Sequence, residues 1–192
     1  MSKALSIKNE LLRKSIHICS SVFAYALFYI DQNTLCWIVG SGALIFILFD
    51  FIRVRSFKIN DMFQSVFGRV TRDFENSRLT GASYVMLASF LVLLLFDKYV
   101  CVVSILIMSY SDTAAAIVGK KYGKTKIFNK TLEGSFAFLI TGLIIILILY
   151  PEINLTFSLI ALILGTFVEV LPINLDDNFS VPIIVASIIS LG

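Results

Sequence analysis

The sequence predicts an all-α integral membrane protein with about seven transmembrane helices and one amphipathic helix at the cytoplasmic interface. Three observations carry that expectation. Hydrophobic residues fill 58% of the 192 positions and charged residues only 15%, against roughly 45–50% and about 25% in soluble domains. Apolar runs recur at lengths near the ~20 residues that a membrane-crossing helix needs. The basic residues fall almost entirely in every second gap between those runs. A mean hydropathy of +0.90 and 17 Phe also exclude a disordered chain, because ample apolar surface is available for burial.

The spans are expected at about 11–30, 34–52, 79–96, 99–118, 134–150, 155–171 and 177–191, in a single polytopic domain over residues 1–192. Leu11 and Leu12 lengthen the first run, which otherwise begins only at Ser15. No small-residue cleavage site follows it, so it reads as a span and not a signal peptide. Asp31-Gln32-Asn33, Asp97-Lys98 and Pro151-Glu152-Ile153-Asn154 break the chain between runs, with the residue types that favour turns. The last apolar stretch, Phe179–Leu191, has 13 residues and rises only about 20 Å as a helix, so its span is expected to start at the acids before it. Between the second and third runs, Ile59, Met62, Phe63, Val66, Phe67 and Val70 recur at helical spacing. They predict an amphipathic helix over about 58–73, with Lys58, Asp61, Arg69 and Arg72 on its polar side. Such a helix either lies in the cytoplasmic leaflet or packs over that end of the bundle, and the two are compatible.

Charge sets the expected orientation. Of 16 Lys and Arg, four precede the first run, six lie between the second and third, and five lie between the fourth and fifth. Lys98 alone falls on the other side. The positive-inside rule therefore places the N-terminus and these loops in the cytoplasm, and seven crossings place the C-terminus outside. Cys19, Cys36 and Cys101 sit singly in apolar runs, with neither a disulfide framework nor a metal-ligand spacing.

Ionisable residues inside spans are costly and mark function. Glu10, Arg13, Lys14 and His17 share one helical face. They serve either as a helix pair with anchoring charges or as a basic face suited to phosphate. Asp112 lies well inside the fourth run, with Ala115, Ala116 and Gly119 on its face. Those small residues suit either close helix packing or room for a ligand. A buried carboxylate without a partner is expensive, so a bound cation is expected beside Asp112. The loop that follows combines Gly119, Lys120, Gly123, Lys124, Lys130, Thr131, Glu133, Gly134 and Ser135. Glycines, lysines and a helix start suit polyphosphate, although the spacing is not that of a P-loop. Glu169 and the Asp176-Asp177-Asn178 segment sit on the same expected side. Capping accounts for one such acid, and the shortness of the last span draws the others toward a polar cavity.

Taken in order, Glu10…Arg13-Lys14…His17, Thr80-Gly81, Asp112…Gly119…Gly123…Lys130-Thr131…Glu133-Gly134-Ser135 and Glu169…Asp176-Asp177-Asn178…Pro182 resemble the membrane lipid kinases that use CTP. That group includes dolichol kinase, fungal-type diacylglycerol kinase and phytol kinase, and the resemblance spans nearly the whole chain. The segment from Asp112 to Ser135 is also similar to phosphatidate cytidylyltransferase, whose C-terminal signature is missing here. The resemblance implies CTP as co-substrate, Mg²⁺ as cofactor and a membrane lipid alcohol as acceptor. It implies catalytic roles for Asp112, Asp177, Arg13 and Lys14, with metal ligands among Asp112, Asp176, Asp177 and Glu169. Gly119, Lys120, Gly123, Lys124, Lys130, Thr131, Glu133, Gly134, Ser135 and Asn178 would contact the nucleotide. Asp112 or Asp176 would accept the hydroxyl proton. The bilayer is the expected partner and nucleic acid is not.

Phosphoryl transfer mainly needs positioning and charge neutralisation, which these residue types supply. Three other readings compete: cytidylyl transfer to phosphatidic acid at the same site, a small ion transporter using Asp112 and Glu169, and a membrane scaffold. A transporter would spread its charges along a pore, and a scaffold leaves Asp112 unexplained.

Overall fold

A computed structural model describes residues 7–71, 73–172 and 175–192. Lys3 and Arg72, counted above among the basic residues, lie outside the described residues. The chain forms α1 (Ile7–Ile18), α2 (Ser21–Ala26), α3 (Gln32–Arg55), α4 (Phe57–Phe67), α5 (Gly81–Leu95), α6 (Lys98–Leu106), α7 (Asp112–Tyr122), α8 (Leu132–Leu149), α9 (Leu155–Val170) and α10 (Asp177–Ile189). A π-helical segment, Ile107–Ser111, joins α6 to α7. A two-residue hairpin, β1 (Lys126–Ile127) with β2 (Lys130–Thr131), joins α7 to α8.

The joined helix Lys98–Tyr122 is the axis of the molecule. Its most apolar window is 78% buried, against 28% for α3 and 33% for α8. Val102, Val103, Ile105 and Ile107 are completely enclosed. The periphery turns Trp37, Ile45, Leu147 and Ile148 outward, the surface that a helix facing lipid presents. Among the described residues, three helices have the length and composition to cross a membrane: Gln32–Arg55, Lys98–Tyr122 and Leu132–Leu149. Gly81–Leu95, Leu155–Val170 and Asp177–Ile189 are apolar but shorter. Side-chain caps start several of these helices: Asp31 accepts from the Thr34 N–H, Asn154 from Phe157 and Thr131 from Gly134.

Two expected elements differ. The first span, 11–30, is not one helix. It divides into α1 and α2, and Ser20 at the break turns its hydroxyl to the His17 carbonyl at 2.7 Å and to Ser109 Oγ at 2.6 Å. Those bonds draw the chain onto the axial helix and replace helix propagation with tighter turns, a known effect of hydroxyls bonding back to the backbone. The amphipathic helix ends at Phe67 and not near residue 73, because Gly68 caps it. Its apolar exterior survives, with Met62 63% and Val66 66% exposed.

The α3–α4 corner carries a buried ionic knot. Asp50 and Arg53 are both sealed from solvent. Arg53 Nε donates to Asp50 Oδ1 at 2.9 Å, Nη1 to Asn60 Oδ1, and Nη2 to the carbonyls of Glu75 and Arg78. Asp50 Oδ2 accepts from the Thr80 N–H, the Thr80 hydroxyl and the Ser83 hydroxyl. One ion pair thus ties the end of α3 to α4, to the segment before α5 and to the first turn of α5. Removing one member of such a pair strands the other. Arg53→Met should cost about 3–5 kcal/mol, read as a lower thermal midpoint in detergent. An unchanged midpoint would show that the knot does not hold this corner.

Candidate active site

One end of the bundle gathers the ionisable residues. The C-terminal end of α9 carries Glu169, the start of α10 carries Asp177, and the start of α7 carries Asp112. Their carboxylate oxygens lie within 4.8 Å of one another. At the opposite end, the Gly192 carbonyl faces Asn154 before α9, so the site and the last residue lie at different ends.

The acids are interleaved with lysines. Lys14 is 3% exposed and its ammonium is ion-paired with Asp112 Oδ2. His17 Nε2 stands 3.3 Å from that same oxygen and 2.9 Å from the Met108 carbonyl. Asp112 is therefore not the unpartnered carboxylate expected from the sequence: α1 brings it a cation across the bundle. The π-helical segment before Asp112 widens the helix just where this pair forms, a placement often seen at functional sites.

Lys130 is delivered by the hairpin. Its Nζ donates to Glu169 Oε1 at 2.6 Å and to Asp177 Oδ2 at 2.8 Å. Partial burial would lower its ammonium, but Asp177, Asp112 and Glu169 together hold it above the ordinary lysine value. It therefore stays charged at neutral pH. Phe128 takes the left-handed backbone conformation (φ 51°) at the hairpin turn, unusual for a bulky residue, and this turn sends the chain back to place Lys130.

The remaining expected residues have distinct places. Arg13 pairs with Glu10 at 2.5 Å, and Lys120 lies 3.6 Å from the other Glu10 oxygen. The face predicted from Glu10, Arg13, Lys14 and His17 therefore turns inward and meets α7. Glu133 accepts the backbone N–H groups of Lys124 and Thr125, closing the loop that carries Lys124. Thr131 caps α8, and the Ser135 hydroxyl donates to the Thr131 carbonyl. Gly119 and Gly134 let α7 and α8 approach: a Cβ on Gly134 would stand 2.9 Å from the Ala115 carbonyl, and one on Gly119 would stand 2.7 Å from Thr131 Oγ1. Gly123 likewise packs against Thr131. The small residues on the face of Asp112 are thus used for helix packing. Asp176 caps α10 through the Asn178 N–H at 3.0 Å, and the acidic group with metal-ligand spacing among the described residues is Asp112, Glu169 and Asp177 without it. Its capping role sets it apart from the other three expected acidic ligands.

The sequence alone gives Asp50 no role, and it gives His17 one only as a member of the face shared with Glu10, Arg13 and Lys14. The rule that singled out Asp112, an acid inside an apolar run, applies equally to Asp50, and Arg53 three residues later is its natural helical partner. His17 was visible on the shared face, but its link to Asp112 depends on α1 crossing α7.

The chain is 30% identical to an uncharacterized protein of Rickettsia prowazekii over 183 residues, covering 91% of this chain and 90% of that protein. It is 27% identical to CTP-dependent diacylglycerol kinase 1 of Schizosaccharomyces pombe over 206 residues, covering 97% and 94%. It is also 27% identical to a probable chloroplastic phytol kinase of Triticum aestivum over 198 residues, covering 92% of this chain and 65% of that one. No family model matches the chain, and no solved structure matches it. Similarity of this extent to the diacylglycerol and phytol kinases bears out the resemblance drawn from the motifs, and the chain belongs to the CTP-dependent lipid kinase family of membrane phosphotransferases.

Proposed function

We propose that this protein transfers the γ-phosphoryl group of CTP to the hydroxyl of a membrane lipid alcohol, of the diacylglycerol, polyprenol or phytol class, at the cytoplasmic face. The observation that carries this reading is the cluster of Asp112, Glu169 and Asp177, with oxygens within 4.8 Å, interleaved with Lys14 and Lys130. Names of relatives at 27% identity point the same way. The concentration of basic residues on one side supports a cytoplasmic site and N-terminus and an external C-terminus.

The donor set fits a hard divalent cation. Three carboxylates offer only oxygen, and their spacing closes readily around an ion that binds at ~2.0–2.1 Å, as Mg²⁺ does. Asp112, Glu169 and Asp177 would hold it. A cation held there would supply positive charge against the charge that develops on the phosphates during transfer. Lys14 and Lys130 exchange carboxylate for phosphate oxygens as the nucleotide enters. Arg13, beside them on α1, approaches the transferring group. The loop from Gly119 to Ser135, with Lys120 and Lys124, lies along the nucleotide, and Asn178 borders the acceptor side. The acceptor oxygen forms a bond to the γ-phosphorus while the bond to the β-phosphate oxygen breaks, and CDP leaves. A loose transition state asks little of a base, so the hydroxyl proton leaves as the new bond forms, to water or to a carboxylate such as Asp112 or Asp176.

The test is purified protein in vesicles with CTP labelled separately at the γ-phosphate and in cytidine, Mg²⁺, and a panel of diacylglycerol, polyprenol and phytol. Label from the γ-phosphate in the lipid is expected. A cytidine-labelled lipid formed when phosphatidic acid is offered instead would make it a cytidylyltransferase, and ion flux without nucleotide would favour a transporter.

A further inference from the structure

Beside the charged cluster runs an apolar cleft of about 740 Å³, bounded by α1 and α2, α3, α4 and α5. That size lies within the ~300–1,000 Å³ typical of ligand pockets. Its two ends differ in chemistry. At one end stand Arg13, His17, Asp50, Thr80 and Asn178. Three of these belong to the site: Arg13 precedes Lys14, Asn178 follows Asp177, and His17 is 3.3 Å from Asp112. At the other end stand Val22, Phe23, Ile45, Phe46 and Met86.

The cleft runs along the helices. From Thr80 to Met86 on α5 the rise is about 9 Å, and from Arg13 to Phe23 it is at most about 15 Å. Half of a bilayer's hydrocarbon core is also about 15 Å, so the cleft spans much of one leaflet. Its side is open, since Ile16, Val22, Ile45 and Phe46 line it and yet are exposed outward. Phe63 and Phe67 of α4 close it at the charged end, their rings 5.1 Å apart. The ionic knot holds that roof in place: Arg53 bonds Asn60 and stacks over Phe63 at 4.8 Å, and Phe49 of the cleft wall meets Phe63 at 5.9 Å.

We infer that this cleft holds the hydrocarbon chain of the acceptor lipid, with its hydroxyl at the Arg13–His17 end and any excess chain passing through the open side into the bilayer. The inference rests on the kinase reading of the adjoining cluster for the identity of the acceptor as an alcohol. An apolar slot ending at a charged site suits an amphiphile with a small uncharged head. The amphipathic helix thereby acquires a role: it covers the place where the acceptor's head leaves the bilayer.

The test uses the full chain in phosphatidylcholine nanodiscs with three photoreactive probes: a diacylglycerol and an isoprenoid alcohol carrying a diazirine in the chain, and a phosphatidylcholine carrying the same group. One of the alcohols should label peptides containing Phe46, Val85 or Met86 well above the phosphatidylcholine probe, and unlabelled alcohol should compete. Ala82→Trp places a large ring in the cleft from the exposed side of α5. It should raise the KM for the lipid about tenfold or more, the equivalent of roughly two methylenes left unburied, with the KM for CTP unchanged. Equal labelling by phosphatidylcholine would make the cleft a site for ordinary bilayer lipid and overturn the inference, as would an Ala82→Trp enzyme with an unchanged lipid KM. If that variant fails to fold, the labelling decides alone. Wild-type protein that labels as expected but transfers no phosphate from CTP would refute the kinase reading while leaving an alcohol-binding cleft.

Discussion

Asp112→Asn is expected to abolish turnover and also to lower stability, and a second substitution separates the two effects. Asp112 is the partner of Lys14, and both are enclosed. An amide at position 112 keeps the shape but strands the lysine. Breaking a buried pair from one side costs about 3–5 kcal/mol, whereas replacing both members with neutral groups is often close to neutral. Lys14→Met with Asp112→Asn should therefore regain most of the lost thermal midpoint. Activity should not return. The proposed chemistry uses the carboxylate as a cation ligand and the lysine as a phosphate contact, and loss of one preorganised electrostatic contact typically lowers kcat about 10²–10³-fold. The measurements are phosphate transfer from CTP and thermal unfolding on the single and double variants. A stable double variant with near-wild-type turnover would reduce the pair to a structural strut, and the assignment of Asp112 to chemistry would fall with it.

The fold class and the identity of this acid were legible because both rest on local cost. An apolar run is readable wherever water would penalise it, and Asp112 interrupts such a run. Which residues would answer the charge was not legible. Lys14 is 98 positions away from Asp112, and Lys130 is 39 and 47 positions from Glu169 and Asp177. The first separation is closed by packing of α1 against the axial helix, and the others by the hairpin reaching the adjoining ends of α9 and α10. The expectation of an unpartnered carboxylate failed for that reason. The glycines show the converse. Gly119 and Gly134 read as a phosphate loop because glycine serves both anion cradles and tight helix crossings, and their contacts with Ala115 and Thr131 add the crossing to what they do. The break after α1 also escaped the sequence, since it depends on the Ser20 hydroxyl meeting Ser109, a residue 89 positions on.

The knot at Asp50 and Arg53 and the cluster at Asp112 solve one problem in two ways. Both place charge at the same end of an apolar bundle. The knot is closed: Asp50 and Arg53 have all their strong groups bonded to protein, through Thr80, Ser83, Asn60 and two carbonyls. Such satisfaction stabilises a corner and leaves nothing for a ligand. The cluster is held by exchangeable ion pairs, with the Lys130 side chain 30% exposed and that of Asp177 20% exposed. Substrate phosphates and a cation can replace those partners without leaving a charge bare. That difference, more than burial alone, sets the cluster apart from the knot as the charged group able to take a ligand.

Lys130→Met is the variant that reads this exchange directly. Lys130 lies between Glu169 and Asp177 at 2.6 and 2.8 Å, so its ammonium occupies the place where a divalent cation would neutralise the same oxygens. Removing it leaves Asp112, Glu169 and Asp177 with Lys14 as their near cation. Like charges at this spacing repel, and the protein should unfold at a lower temperature in chelator than wild type does. Mg²⁺ should then restore it. A ligand that binds only the folded state adds about 2.7 kcal/mol at a hundredfold excess over its dissociation constant, and the rise in midpoint should exceed that of wild type, where the lysine competes. Glu169→Gln added to Lys130→Met should shrink the Mg²⁺ response, because one ligand oxygen loses its charge. Phosphate transfer should stay about 10²–10³-fold down in Lys130→Met even with saturating Mg²⁺, since the phosphate contact is not replaced by the ion. If Mg²⁺ shifts the variant no more than wild type, the three carboxylates do not form the cation site, and the lysine is their permanent partner.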